Sequence, residues 1–273
     1  MTLKHVVLYS GGHSSGLVAI EVVRKFGKEN VILLNHDISD LVEDQDIKRF
    51  KNELSEYLEV PITYANHPDK NANQFTVCID SKAFKGLNNH VLCTTRLKTE
   101  PFTKWLSENF SDKNCILYYG FDKNEMHRVQ RRSSILSEMG YKSDYPLALW
   151  NDLTIKSTED IGISRPLSYS SFKHANCIGC LKAGMQHWYV VYCNRPDIFK
   201  LAKNAEEVIG YAIHKNGNGE PEYLAEIEEK FNIMKYLNIP ATENISSKLF
   251  WTQTSKILLN MEDDRLFPCE CSY

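Results

Sequence analysis

Three groups of side chains in this sequence are spaced for chemistry. The first is a glycine–serine turn, Ser10-Gly11-Gly12-His13-Ser14-Ser15. Two adjacent glycines permit a tight turn and let backbone approach a ligand closely. The N–H groups of a helix with Ser14 and Ser15 in its first turn would face the occupant, and an anion such as phosphate is the expected one. The second group is basic: Arg96 and Lys98 ahead of Glu100-Pro101, then Arg128, Arg131 and Arg132. Lysine offers a point charge and arginine a planar fork, and both suit a polyanion. The third group is thiol: Cys177-x-x-Cys180 and Cys269-x-Cys271. Close thiol pairs of this kind can present both sulfurs to one tetrahedral metal or cluster. Cys78, Cys115 and Cys193 read as ordinary core residues.

The elements that must position these groups alternate between strand and helix. Val6 to Tyr9 is an apolar run without alternation, which predicts a buried strand. Helical spacing follows at Leu17, Ile20 and Val23, and Val31 to Asn35 is a second apolar strand. Strand, helix and strand in this order make a βαβ unit, hence a parallel sheet with a right-handed crossover. Ligands of such sheets bind beyond the carboxyl ends of the strands, so Asn35 and His36 should border the glycine turn. Residues 43–58 form an amphipathic pattern through Ile47, Phe50, Leu54 and Leu58, and Ile62 to Ala65 is a third strand. Residues 66–90 are polar and weakly periodic, as in an excursion over the surface.

A helix is expected through Phe102, Trp105 and Leu106, with Arg96 and Lys98 at its head. Cys115 to Tyr119 is a further strand ending at Gly120, and Glu125, Arg128 and Arg132 then share one helix face. Tyr145-Pro-Leu reads as turn and extended chain. Two helical stripes follow, Ile198-Leu201-Ala205-Val208 and Leu224-Ile227-Phe231-Met234, separated at Gly217 to Gly219. The shift in composition near residue 165 divides the region of the glycine turn, 1–165, from a helical, cysteine-containing region, 166–273.

Bulk properties narrow the class. The 273 residues are 42% hydrophobic and 25% charged, with a net charge of −3. These values fit a soluble globular protein with ample core and no global basic footprint for nucleic acid. No stretch has the length of a membrane span and the N-terminus lacks a signal-peptide core, so a cytoplasmic location is expected. In that reducing compartment the eight cysteines point to metal or redox chemistry rather than disulfides.

The turn lacks the lysine of a Walker loop and does not fit G-x-G-x-x-G. It is similar to the SGGxDS PP-loop of the ATP pyrophosphatase and PAPS-reductase superfamily, with Ser14 in place of the usual Asp. The stretch Val91 to Pro101 resembles the CCxxRKxEP segment of PAPS-reductase-like proteins. Cys93, Lys98, Glu100 and Pro101 match, Thr94 replaces the second Cys, and Arg96 is offset by one. Gly120 with its arginines and the Cys177–Cys180 pair follow in the same order. Glu270-Cys271 resembles the start of an ECG[IL]H tail, from which Ser272 and Tyr273 depart.

The resemblance implies a doubly wound, mostly parallel, Rossmann-like α/β sheet with a smaller, mainly helical C-terminal part. It implies nucleotide contacts from Ser10, Gly11, Gly12, Ser14, Ser15, Asn35, His36, Arg96, Lys98, Gly120, Arg128 and Arg132. It further implies a [4Fe–4S] cluster or Zn2+ drawn from Cys93, Cys177, Cys180, Cys269 and Cys271. Three functions stay open. The chain could be a transferase that binds ATP with Mg2+ and acts at the α-phosphate, in adenylation or sulfur transfer. It could be a sulfonucleotide (PAPS or APS) oxidoreductase with Cys271 as the catalytic nucleophile. It could also be a metal-stapled nucleotide-binding regulator without turnover. Partners in these readings are the nucleotide, an acceptor the sequence does not name, a nucleic acid or sulfur carrier, and a second copy in a homo-oligomer; none is a membrane.

Overall fold

A computed structural model describes residues 2–175 and 177–266, the side chains of Asn88 and of residues 260–266 excepted. The chain divides into two compact units. The first comprises Met1–Val77, Leu92–Tyr169 and His174–Cys177; the second comprises Cys78–Val91, Ser170–Lys173 and Ile178–Tyr273.

In chain order the elements begin with β1 (Lys4–Leu8), α1 (His13–Phe26), β2 (Val31–Asn35), α2 (Gln45–Leu58) and β3 (Ile62–Tyr64). A short α3 (Thr76–Asp80) spans the division between the units. The first unit continues with α4 (Leu92–Thr94), a π turn over Thr95–Thr99, α5 (Glu100–Asn109), β4 (Cys115–Tyr118), α6 (Met126–Glu138), β5 (Lys142–Asp144) and α7 (Pro146–Leu149). The strands form one sheet in the order β3-β2-β1-β4-β5, and every neighbouring pair is parallel. The fold is α/β with a five-stranded, all-parallel sheet, an arrangement compatible with a Rossmann-like fold.

Alternation along the strands sends neighbouring residues to opposite faces. Val7 and Leu33 pack with Val18 and Val22 of α1 and with Phe50 and Leu54 of α2. Val6, Leu34 and Leu117 pack on the other face with Phe102 and Leu106 of α5 and Leu136 of α6. Helices therefore cover both faces, which is why β1 reads as an unbroken apolar run. Strand order runs outward from β1 to β3 on one side, then returns to β4 and β5 on the other. The reversal lies between β1 and β4.

The second unit is built from α8 (Met185–Asn194), α9 (Pro196–Ile209), a hairpin of β6 (His214–Lys215) and β7 (Pro221–Glu222), α10 (Leu224–Tyr236) and α11 (Ser247–Leu266). Its core includes Trp188, Tyr189, Phe199, Phe231 and Phe250, all 2% exposed or less. The buried Glu206 carboxylate accepts the N–H groups of Ile213 and Leu224 at 2.8 and 2.7 Å, tying the hairpin connection to α9. Among the described residues no helix is long and apolar enough to cross a membrane.

Several elements lie outside the sequence expectations. α3 falls within 66–90, the stretch expected to run over the surface, where Phe75, Val77, Cys78 and Phe84 are instead buried. α7 is helical where Tyr145-Pro-Leu reads as turn and extended chain. β5 is short and polar, so no alternation marks it. α8 buries Gln186 through Val191 on all sides and has no polar face to reveal a helical period. Ser247–Leu266 carries only a weak apolar stripe. The π turn also changes the placing of Arg96 and Lys98. They lie inside a helical stretch that runs from Leu92 to Asn109, rather than at its head.

Burial pushes the His214 imidazole down from 6.5 to about 4, with the nearby His187 and Lys85 acting in the same direction. Its Nε2 has no partner among the described residues, consistent with a neutral ring packed edge-on to Trp188. The unfolded chain takes up this proton near pH 6.5 and the folded chain only near pH 4. Stability against urea should therefore fall as pH drops through that window. His214→Phe should flatten the fall; an unchanged pH profile in the variant would remove His214 as its source.

Candidate functional site

The glycine turn leaves the carboxyl end of β1 at the reversal of strand order, where open α/β sheets hold ligands. Gly11 has a φ of +80°, a conformation that L side chains rarely adopt. A Cβ there would stand 2.7 Å from Cγ of Lys51 and 2.9 Å from Cγ2 of Ile47, so the turn lies directly on α2. Gly16 N–H closes the first helical bond on the Gly12 carbonyl at 3.0 Å. The buried Ser15 hydroxyl donates to the same carbonyl at 2.8 Å and lies 3.2 Å from the Ser10 hydroxyl. Ser14 is exposed. Among the described residues no protein acceptor meets the N–H groups of Ser14 and Ser15. These amides form the positive end of the α1 dipole.

A buried ion pair braces the turn from below. Lys51 is 2% exposed, and its Nζ lies 3.0 and 2.9 Å from the two carboxylate oxygens of Glu43. Burial pushes the Glu43 carboxyl up, and the Lys51 and Lys48 ammoniums pull it only partly back. Lys51 also donates to Asn35 Oδ1 at 3.3 Å, and the Asn35 amide nitrogen donates to the Tyr9 carbonyl. Asn35, an implied nucleotide contact, is 3% exposed and spends its amide inward, holding the residue before Ser10. Removing one partner of such a pair costs about 3–5 kcal/mol because the other charge stays buried.

His36 and Lys98 are brought together beyond β2. Burial lowers the His36 pKa; the Ala65 carbonyl, hydrogen-bonded to Nδ1, opposes this, and the Lys98 charge lowers it further. The ring is accordingly neutral near pH 7, with a half-buried lysine beside it. Arg96 instead pairs with Glu100 at 2.8 Å on the surface. His13, the variable position of the turn, accepts the Thr158 N–H on Nε2 at 3.3 Å. Burial lowers its pKa, Arg165 lowers it further, and Glu159 opposes them.

Gly120 packs against the glycine turn. A Cβ there would lie 3.0 Å from the Ser15 nitrogen and 3.1 Å from the Ser14 carbonyl carbon. The glycine thus lets the exit of β4 pass against the backbone of the turn itself. Arg128 pairs with Glu125 and lies over the Phe121 ring at 4.2 Å, and Arg132 lies 5.5 Å from the Tyr119 ring centre. Both guanidiniums are seated on an aromatic stack of Tyr119, Phe121 and Tyr145 rather than on the turn.

The thiols are distributed between the units. Cys93 and Cys177 belong to the first unit and Cys180 to the second. Cys269 and Cys271 lie outside the described residues. Among the described residues no group of three or more His, Cys, Asp or Glu side chains is gathered to hold an ion. The described side chains alone therefore do not close a four-ligand metal site. In the second unit His187 accepts the Gly179 and Cys180 N–H groups on Nε2, each at 3.2 Å, and its Nδ1 lies 2.9 Å from Glu243 Oε1. Burial raises the Cys115 thiol to about 11, in keeping with a core role.

Lys51, Glu43, His13 and the His187–Glu243 pair were not singled out as site residues from the sequence. One signal was readable: Lys51 falls in register with the buried stripe of α2, among Ile47, Phe50 and Leu54.

Gly120→Ala should loosen the turn, because the crowded atoms are backbone and have little room to move. Stability against urea should fall by about 1–3 kcal/mol, the usual cost of forcing extra atoms into a packed site. Gly217→Ala, where an added Cβ meets nothing within 4 Å, is the control and should be close to the parent. Equal stability of both variants would remove the packing role assigned to Gly120.

No family model matches this chain, and comparison with curated proteins returns no match.

Proposed function

We propose that the first unit is a doubly wound, PP-loop-type nucleotide-binding domain, and that the protein acts on ATP at the α-phosphate. The observation that carries this reading is the glycine turn. It opens α1 at the reversal of strand order, with two first-turn amides directed away from any protein acceptor among the described residues. The resemblance of Ser10 to Ser15 to the SGGxDS loop supports the same ligand.

In this reading the first-turn amides and the α1 dipole hold the triphosphate. An acceptor attacks the α-phosphorus, forming a bond to its own nucleophilic atom and expelling pyrophosphate. Charge that develops on the phosphate oxygens is met by donors already in place, which is the efficient form of electrostatic stabilisation. Lys98, beside His36 beyond β2, is a cation suited to this. Mg2+ arriving on the phosphates would supply charge neutralisation, held mainly by phosphate oxygens and water.

The test is ATP binding by calorimetry together with pyrophosphate release. The parent should bind ATP in the micromolar range, about −8 kcal/mol. Ser14→Asp, which restores the residue usual in the similar loops, should raise pyrophosphate release. Turnover of PAPS or APS that is lost in Cys271→Ser would replace the ATP reading by the reductase one. Tight nucleotide binding with no turnover of either substrate would favour a regulator. Metal analysis of protein purified without oxygen separates a cluster, which is brown, from about one zinc per chain.

A further inference from the structure

The side of the glycine turn away from Lys51 is also occupied. The His13 N–H, the first amide of α1, donates to the Tyr169 hydroxyl at 3.1 Å. A Cβ at Gly12 would stand 3.4 Å from that oxygen and 3.4 Å from the Ala175 Cβ, so Tyr169 and Ala175 cover the second glycine. All of these residues belong to the first unit.

The covering segment is tied down at several points. The Leu167 N–H donates to the Asp46 carboxylate at 2.6 Å, and the Arg49 guanidinium donates to the Ser164 and Arg165 carbonyls at 3.2 and 3.4 Å. Upstream, the Thr158 N–H reaches the His13 imidazole. Residues 158–169 therefore run from the side chain of His13 back to its own amide. A short 3-10 turn, Leu167–Ser170, delivers Tyr169.

We propose that Tyr169 is a gate on the anion site: its hydroxyl holds the first amide of α1 in this state and yields that amide to an incoming phosphate. The inference rests on the nucleotide reading of the turn. The physical reason for exchange is the difference between acceptors. An ionised phosphate oxygen takes an N–H in a charge-assisted bond, roughly twice as strong as the bond to a neutral phenol. The amide thus passes from a weaker acceptor to a stronger one, and the phenol bond is the energy the ligand must overcome. The same bond fills an otherwise orphaned helix donor.

The experiment uses the full chain, with ATP and inorganic pyrophosphate as separate probes in titration calorimetry. Tyr169→Phe removes the competing oxygen and keeps the ring. It should tighten binding of both probes by roughly three- to tenfold, the scale of one net hydrogen bond. The same gain should appear when Tyr169→Phe is made in a His13→Ala background. It should vanish in a His13→Pro background, where the contested N–H no longer exists. Proline is tolerated at this first helical position, and Gly12 before it already has the extended conformation proline requires, φ −83° and ψ 154°. Unchanged or weaker binding by Tyr169→Phe would overturn the gate and leave the nucleotide reading standing. A gain that persists in the His13→Pro background would also overturn it. Failure of the parent and of Tyr169→Phe to bind either probe would overturn the nucleotide reading, and the gate with it.

Discussion

An ammonium group buried to the extent of Lys51 has to be neutralised where it lies, and much of the candidate site follows from how that is done. Glu43 supplies the opposite charge, Asn35 an additional acceptor, and Asn35 in turn grips the backbone at Tyr9. One chain of contacts therefore links the helix after β2 to the strand before the glycine turn. The aliphatic stem of the same lysine lies against Gly11 and sets how deep the turn can sit. A charge that costs stability on its own becomes, through its partners, the floor of the site. Such a network is brittle, since every member depends on the others for its missing hydrogen bond.

The two glycines at the crevice answer different constraints. Gly11 is needed both for its positive φ and for its contact with Lys51. Gly120 belongs to another strand and is needed because two stretches of backbone pass at the distance of a single missing methyl group. β1 and β4 are hydrogen-bonded neighbours, so their exits must diverge or touch. Here they touch, and the absent Cβ makes that possible. Tyr169 closes the remaining side, so the turn is bounded by α2 below, the β4 exit beside it and a phenol at its first amide.

The second unit handles its polar groups by the same logic. Glu206 is buried because two backbone N–H groups of a connection point at it. His187 is buried because it accepts two amides of the cysteine-containing turn while Glu243 meets its other nitrogen. That second arrangement fixes the ring's tautomer, with the proton on Nδ1, and keeps Gly179 and Cys180 in one conformation.

Local patterns in the sequence were enough for the parallel strands β1, β2, β3 and β4, since each is an apolar run or is bounded by strong turn residues. The helices with one wet face, α1, α2, α9 and α10, were legible for the same kind of reason. Periodicity could not reveal α8, which has no wet face, or β5, which has too few residues to alternate. The candidate site divides along a similar line. The glycine turn announces itself, because only glycine provides its conformation. The inward use of Asn35, the backbone contact of Gly120 and the aromatic seats of Arg128 and Arg132 are pairings between residues far apart in the chain. No spacing encodes them; they exist only once β4 lies beside β1 and α2 lies beneath the turn. By itself the sequence determined where backbone can bend and which runs must be buried. The tertiary structure alone decided which polar groups are spent on one another, because a hydrogen bond or ion pair depends on distance in space.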